Sequence, residues 1–266
     1  MTAAHYEAQD DLLIENHGSV RVLTLNRPAD RNPASTALLF KLTETARSLA
    51  ADDSVRAVII TGAGKAFSAG GDFAHFVATA RDPQVANDTI ANGRDFIAAM
   101  LDIPVPVIAA VNGAAVGFGA TLLALSDIVI MSENAFIIEP HVNVGLVIGD
   151  GISVTWPFLT SLHKAKELAF TGDRLPAVEA VACGLANKVV PLQDLMSEAL
   201  SMAERISRQP RSALAGSKQL FNQYSKAVMD TVLRAQMELQ FAQTQGPEHG
   251  QIVQSMIDAQ KRNASA

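Results

Sequence analysis

Apolar and polar residues alternate through Val20-Arg21-Val22-Leu23-Thr24-Leu25, the period-two pattern of a half-buried strand, and Asn26-Arg27-Pro28 ends it. From about Ser35 to Ala51 the positions Leu38, Leu39, Leu42 and Leu49 recur near helical spacing, which predicts a helix. Val55 to Thr61 is a short apolar run rich in β-branched residues and stopped by Gly62-Ala63-Gly64. It reads as a strand buried on both faces. A helix from about Gln84 to Leu101, a strand at Val107 to Val111, a helix from Gly117 to Leu125 and a strand at Asp127 to Met131 follow. Strands alternating with helices predict an α/β layered domain. From about Lys164 the pattern turns mostly helical, with amphipathic segments around Leu192 to Ser207 and Val228 to Gln243. No low-complexity linker or repeat interrupts it. The reading therefore divides the chain into an α/β core over 1–195 and a C-terminal helical region over 196–266.

No charge occurs between Ile103 and Ser126, a stretch long enough to span a bilayer. Pro104, Pro106, Asn112, Gly113, Gly117 and Gly119 break it into a strand, a glycine-rich turn and a helix start. A buried strand and helix is the better account, because a lipid-exposed span needs unbroken backbone pairing.

Composition agrees with a large core: 48% of the 266 residues are hydrophobic and 18% charged. A net charge of −6 without a Lys/Arg stripe gives no reason to expect nucleic acid. One cysteine, Cys183, cannot form an intramolecular disulfide, and the N-terminus lacks the basic start and apolar core of a secretory signal. Both point to a cytoplasmic protein.

Two glycine-centred turns carry candidate chemistry. In Ala69-Gly70-Gly71-Asp72-Phe73, paired glycines permit positive φ and leave nothing bulky over the N–H of Gly71. In Asn112-Gly113-Ala114-Ala115-Val116-Gly117-Phe118-Gly119-Ala120, a helix starting near Gly117 leaves its first N–H groups unpaired at the positive end of its dipole. Two such donors aimed at one point stabilise negative charge on a carbonyl oxygen, and each is worth on the order of 3 kcal/mol in a transition state. Taken singly, either turn reads equally well as a tight packing corner.

In combination, and in this order, the segments resemble the crotonase (enoyl-CoA hydratase/isomerase) superfamily. The resemblance rests on Asn26-Arg27-Pro28 with Arg31-Asn32, the run Thr61 to Asp72, Pro106 to Gly113, Ser126-Asp127-Ile128 and Leu168-Ala169-Phe170-Thr171-Gly172. It implies a spiral of ββα units and a helical C-terminal region that builds homotrimers or hexamers. It also implies an oxyanion hole from the N–H groups of Gly71 and Phe118, the latter standing where relatives commonly carry glycine. The expected chemistry is an enolate formed from an acyl-CoA thioester, with CoA as part of the substrate and no further cofactor. Arg31 and the backbone near Ala69 are the expected CoA contacts, joined by Arg27, Lys65, Lys261 and Arg262. A C-terminal Phe/Lys pair of many relatives falls on about Met256 and Ala259.

The two glutamates that the family's hydratases use to add water are missing. Thr121 stands at one position, as a candidate substrate contact, and His141, directly after Pro140, at the other. Proline favours an extended Glu139, so His141 lies just past the end of a strand. Nine positions separate it from Asp150. On one helix the two side chains would face apart, but Gly145, Gly149 and Gly151 favour a loop that folds back and joins them. A carboxylate on one imidazole nitrogen fixes the tautomer and raises the basicity of the other, giving a general base near neutral pH. Outside the family frame, His141 reads as a loop histidine and Asp150 as the N-cap of the helix through Trp156.

This pair resembles the β-diketone hydrolases of the superfamily, the oxocamphor hydrolase type, which cleave a carbon–carbon bond. That type's second pocket histidine falls on Phe118, its tryptophan on about Pro33 and its distal glutamate on about Thr244. A CoA-independent β-diketone substrate is thus the alternative, and a non-catalytic CoA-binding or scaffold role a second one. Gly117-Phe118-Gly119 followed by Leu122 is no dinucleotide fingerprint, and Gly64-Lys65-Ala66 lacks a P-loop hydroxyl. No Gly-x-Ser-x-Gly elbow occurs, and no pattern among the six histidines supports a metal site.

Overall fold

The computed structural model describes residues 11–264. Ten strands are β1 (Leu12–His17), β2 (Val20–Leu25), β3 (Ala57–Gly62), β4 (Ala66–Ser68), β5 (Val107–Val111), β6 (Ala114–Val116), β7 (Ile128–Ser132), β8 (Phe136–Ile138), β9 (Leu175–Pro176) and β10 (Lys188–Val190). The helices are α1 (Thr36–Ala51), α2 (Phe73–Arg81), α3 (Pro83–Asp102), α4 (Phe118–Ala124), α5 (Ile152–Leu159), α6 (Leu162–Thr171), α7 (Ala177–Ala182), α8 (Leu195–Ser207), α9 (Arg211–Thr244) and α10 (Pro247–Ala264).

The strands make two sheets. A six-stranded sheet has the order β1-β2-β3-β5-β7-β10, antiparallel only at β1–β2. A smaller sheet has the order β4-β6-β8-β9, with β4, β6 and β8 mutually parallel. Strand pairs precede α1, α2, α4 and α5, the second strand short in the last three, so the chain is an α/β fold of ββα units with a helical C-terminal region.

Period two explains the large sheet. In β3, Val58 and Ile60 face the main core while Ala57 and Ile59 face the opposite side; in β5, Val107, Ala109 and Val111 oppose Ile108 and Ala110. Both faces are buried, as continuous apolar runs require. The main core takes Leu38, Leu42 and Leu49 of α1 and Phe96, Ile97 and Met100 of α3. The other face is covered by α8 through Leu195, Ala199 and Ala203.

The expected strand at 20–25 and the expected helices near 35–51 and 84–101 are present, as is the uncharged stretch as β5, β6 and α4. Among the described residues no helix is long and apolar enough to cross a membrane. The long helix α9 is tied to the core by Lys218, whose Nζ donates to Val105 O at 3.0 Å and to Asp127 Oδ2 at 2.6 Å. That carboxylate also accepts from Val107 N–H at 2.7 Å, so the buried ammonium is paired rather than stranded.

Candidate active site

Three neighbouring parallel strands end on one side of the small sheet, and each feeds a loop of the site. β4 leads to Gly70-Gly71, β6 to Gly117-Phe118 and β8 to Glu139-Pro140-His141. Parallel pairing puts these exits side by side, about 5 Å apart per strand. Residues distant in the chain therefore meet in one row.

Gly70 has φ of 98°, a region that an L side chain rarely enters, and its carbonyl is turned to accept from Ala34 N–H at 2.7 Å. Asp72 N–H in turn donates to Ala34 O at 2.9 Å. Between them the N–H of Gly71 points the other way and meets no acceptor among the described residues. The N–H of Phe118, first in α4, likewise meets none, while Gly117 N–H before it donates to Ile138 O at 3.0 Å. Both residues line a cavity of about 370 Å³, together with Ala69, His75, Phe76, Pro140, His141, Leu146, Asp150, Gln240, Thr244 and Met256. The ring of Phe118 finds room by turning into the core, where it lies 5.4 Å from Phe96.

His141 opens a 3-10 turn, His141–Val144, that bends the ring back over the preceding residues. Its Nδ1 is bonded to Glu139 Oε1, which also accepts from the His141 backbone N–H at 3.1 Å. Glu139 is 1% exposed, and its Oε2 has no partner among the described residues. On the other side of the ring, Asp150 Oδ2 lies 3.7 Å from Nε2, close enough for charge attraction but beyond a hydrogen bond. Gly149 makes that approach possible, since a Cβ there would come within 2.6 Å of His141 Nε2.

The loop does fold back and join His141 to Asp150. The carboxylate that orients the ring, however, is Glu139, which sequence reasoning had not singled out. One signal was present: Glu139 is the sole acidic residue between Asn134 and Gly149, two positions from the histidine. Asp150 has φ of 56°, and the N-cap of α5 is Gly151, so Asp150 does not cap that helix.

Burial works against a charge on His141, but the charge and hydrogen bond of Glu139, then the charge of Asp150, outweigh it and push the imidazole up to about 9. The two neighbouring carboxyl groups thus favour the charged form of the ring. Burial raises the Asp150 carboxyl above its ordinary range, with the His141 charge opposing and the Glu139 charge assisting.

A wider groove of about 790 Å³ adjoins the cavity through Ala69, Gly71, Asp72 and Phe73 and carries Arg27, Arg81 and Lys261. Asp72 caps α2 by accepting from Ala74 N–H at 3.0 Å and holds the Arg27 guanidinium at 3.0 Å. Burial disfavours the Asp72 charge, yet Arg27 and the backbone donors keep its carboxyl below the usual range. Arg31 is exposed, with left-handed φ of 65°, and does not line the groove; its carbonyl accepts from Ala69 N–H at 2.9 Å. Arg81 lines it instead, placed there by the end of α2, an element the hydrophobic pattern had not revealed. Thr121 is buried, and its Oγ1 has no partner among the described residues.

A family profile described as enoyl-CoA hydratase/isomerase matches residues 15–264. The chain belongs to that family. It is 33% identical to a short-chain-enoyl-CoA hydratase of Clostridium acetobutylicum over 86% of this chain and 87% of that one. The crystal structure of an enoyl-CoA hydratase/isomerase from Mycobacterium paratuberculosis superposes with a TM-score of 0.89, at 38% identity, over 94% of this chain and 100% of the other. That of a monofunctional enoyl CoA isomerase from M. smegmatis gives 0.68 at 31% identity, over 81% and 94%. Relatives named for hydration and for isomerisation share the architecture, so the reaction has to be argued from the site.

Proposed function

We propose that this member of the enoyl-CoA hydratase/isomerase family acts on an acyl-CoA thioester through an oxyanion-stabilised enolate. The observation that carries the reading is that the unpartnered N–H groups of Gly71 and Phe118 open into the same cavity as His141 and Asp150. A thioester oxygen held by the two donors places its α carbon within that cavity. Asp150 takes the α proton, and the C–H electron pair moves through the new C=C bond onto the thioester oxygen. The His141 imidazolium, held through Nδ1 by Glu139, stabilises the proton-accepting pair and supplies a proton from Nε2 when the enolate collapses. The adjoining groove, with Arg27, Arg81 and Lys261, suits the phosphates of CoA, and Ala69 lies where groove and cavity meet.

The family profile and the named relatives are enoyl-CoA enzymes, which supports the thioester reading over a free β-diketone.

The test is exchange of the α hydrogens of butyryl-CoA into deuterated water, followed by NMR, with thioester affinity measured by calorimetry. Asp150→Asn is the informative variant, because asparagine tolerates left-handed backbone as aspartate does. Exchange is expected to fall about a hundredfold or more while affinity stays within a few-fold. Unaltered exchange would remove Asp150 from the mechanism. An unaltered chain that neither binds nor exchanges the thioester would end the acyl-CoA reading.

Assembly as a trimer or hexamer belongs to the same proposal. Leu220, Phe221 and Tyr224 of α9 are at least 65% exposed beside Phe158, an apolar face that association would cover. Light scattering of the intact chain should give three or six times the monomer mass; a monomer at micromolar concentration would contradict it.

A further inference from the structure

His141 and Asp150 are not hydrogen-bonded to each other: Asp150 Oδ2 stops 3.7 Å from Nε2. Their separation is therefore set by the chain between them. Over 145–151 that chain belongs to no helix or strand, so no ladder of backbone hydrogen bonds fixes it.

The C-terminal helices do. α9 turns Leu233 inward, 2% exposed, and the positions that continue along that face are Gln236, Gln240 and Gln243. Spacings of three and four place them in one row. Ser153 Oγ donates to Gln236 Oε1 at 2.8 Å. Gln240 packs on Gly149, where an added Cβ would lie 3.1 Å from its Nε2. Val147 N–H donates to Gln243 Oε1 at 2.6 Å. Apolar side chains in this row could fill space against the loop, but they carry no acceptor for its backbone.

α10 supplies a second grip. His249 is 1% exposed, and its Nδ1 lies 2.6 Å from Val144 O. A carbonyl only accepts, so Nδ1 carries the hydrogen. Nε2 is left bare, with no partner among the described residues. A buried imidazole with one nitrogen unsatisfied is a poor space-filler, which leaves the bond to Val144 O as its distinctive contribution. The loop is fitted closely to this helix: a Cβ at Gly145 would lie 3.5 Å from His249 Cα.

We infer that Gln243 and His249 are positioning residues for proton transfer: by gripping Val147 and Val144, they set the distance between His141 and Asp150. The inference rests on the acyl-CoA reading above. It is tested by α-hydrogen exchange from saturating butyryl-CoA, with affinity from calorimetry and a thermal midpoint for each protein. His249→Leu removes the donor. His249→Asn restores one, since the asparagine amide nitrogen sits at the branch position that Nδ1 occupies. Gln243→Met removes the acceptor at nearly constant shape. A displacement on the order of 1 Å at a reacting pair can slow it about a hundredfold. Exchange is expected to fall about tenfold or more in His249→Leu and in Gln243→Met, with affinity within about twofold. His249→Asn should return to within about threefold of the unaltered rate. If His249→Leu does not fold, Gln243→Met decides. Folded variants that exchange at the unaltered rate, or His249→Asn as slow as His249→Leu, overturn the inference and leave the acyl-CoA reading standing. Affinity lost in step with exchange also overturns it, because the helices would then be shaping the pocket rather than the pair. No exchange in the unaltered chain overturns both.

Discussion

His141→Ala is expected to slow α-hydrogen exchange from an acyl-CoA by about a thousandfold while leaving thioester affinity within a few-fold. The ring is the acid of the proposed pair, and the N–H groups proposed to hold the thioester oxygen belong to other residues of the cavity, Gly71 and Phe118. The same change has a second effect. Glu139 is 1% exposed, one of its oxygens is unpartnered, and the other is bonded to the ring being removed. Taking one member from a buried ion pair costs about 3–5 kcal/mol. Urea denaturation should register a loss of that order in His141→Ala, and Glu139→Gln/His141→Ala should recover most of it without recovering exchange. Exchange within tenfold of the unaltered rate in the folded single variant would remove His141 from the chemistry. A single variant as stable as the unaltered chain would show that Glu139 is not left stranded.

The second large effect concerns pH. The imidazole of His141 rises from an ordinary 6.5 to about 9 in the folded chain, so folding favours its charged form. A raised histidine contributes stability that is fully present below the unfolded value and is lost as pH climbs through the folded one. The window runs from 6.5 to about 9, and a shift of that size corresponds to about 3 kcal/mol. Asp150 is raised as well, so it adds a loss of the same sign that begins above its ordinary 3.8. Urea midpoints across the histidine window should therefore fall steadily in the unaltered chain. Glu139→Gln removes the main partner that raises the ring, and its profile should be markedly flatter. Parallel profiles for the two proteins would mean that Glu139 does not hold the charge on His141.

The large sheet was legible because its strands are long enough for a pattern to repeat. β2 alternates visibly, β3 carries the apolar run Ala57 to Ile60 closed by Thr61-Gly62, and β5 is an apolar run between Pro106 and Asn112-Gly113. The small sheet was not, since β4, β6 and β8 have three residues each and β6 is Ala-Ala-Val, which no periodicity distinguishes from a turn. The glycine turns could be located from sequence because glycine marks a backbone requirement directly. Arg31 and Arg81 show the opposite case. Whether a cation lines the groove depends on the left-handed turn at Arg31 and on where α2 stops, and neither is written in the side chain itself. Glu139 was hidden for a related reason: the bond to His141 exists only once the 3-10 turn has folded the ring back over Pro140.

The row of strand ends that assembles the site also governs when the site can come into being. Ala66 pairs with Ala114, and Ala114 with Phe136, so no hairpin or single local segment contains two of the three loops. Each pairing must close a long loop before any contact rewards it, a slow kind of step in refolding. Secondary structure in α1, α3 and α9 can therefore recover well ahead of the competent cavity. The cavity is therefore expected to be complete only once these parallel pairings have formed.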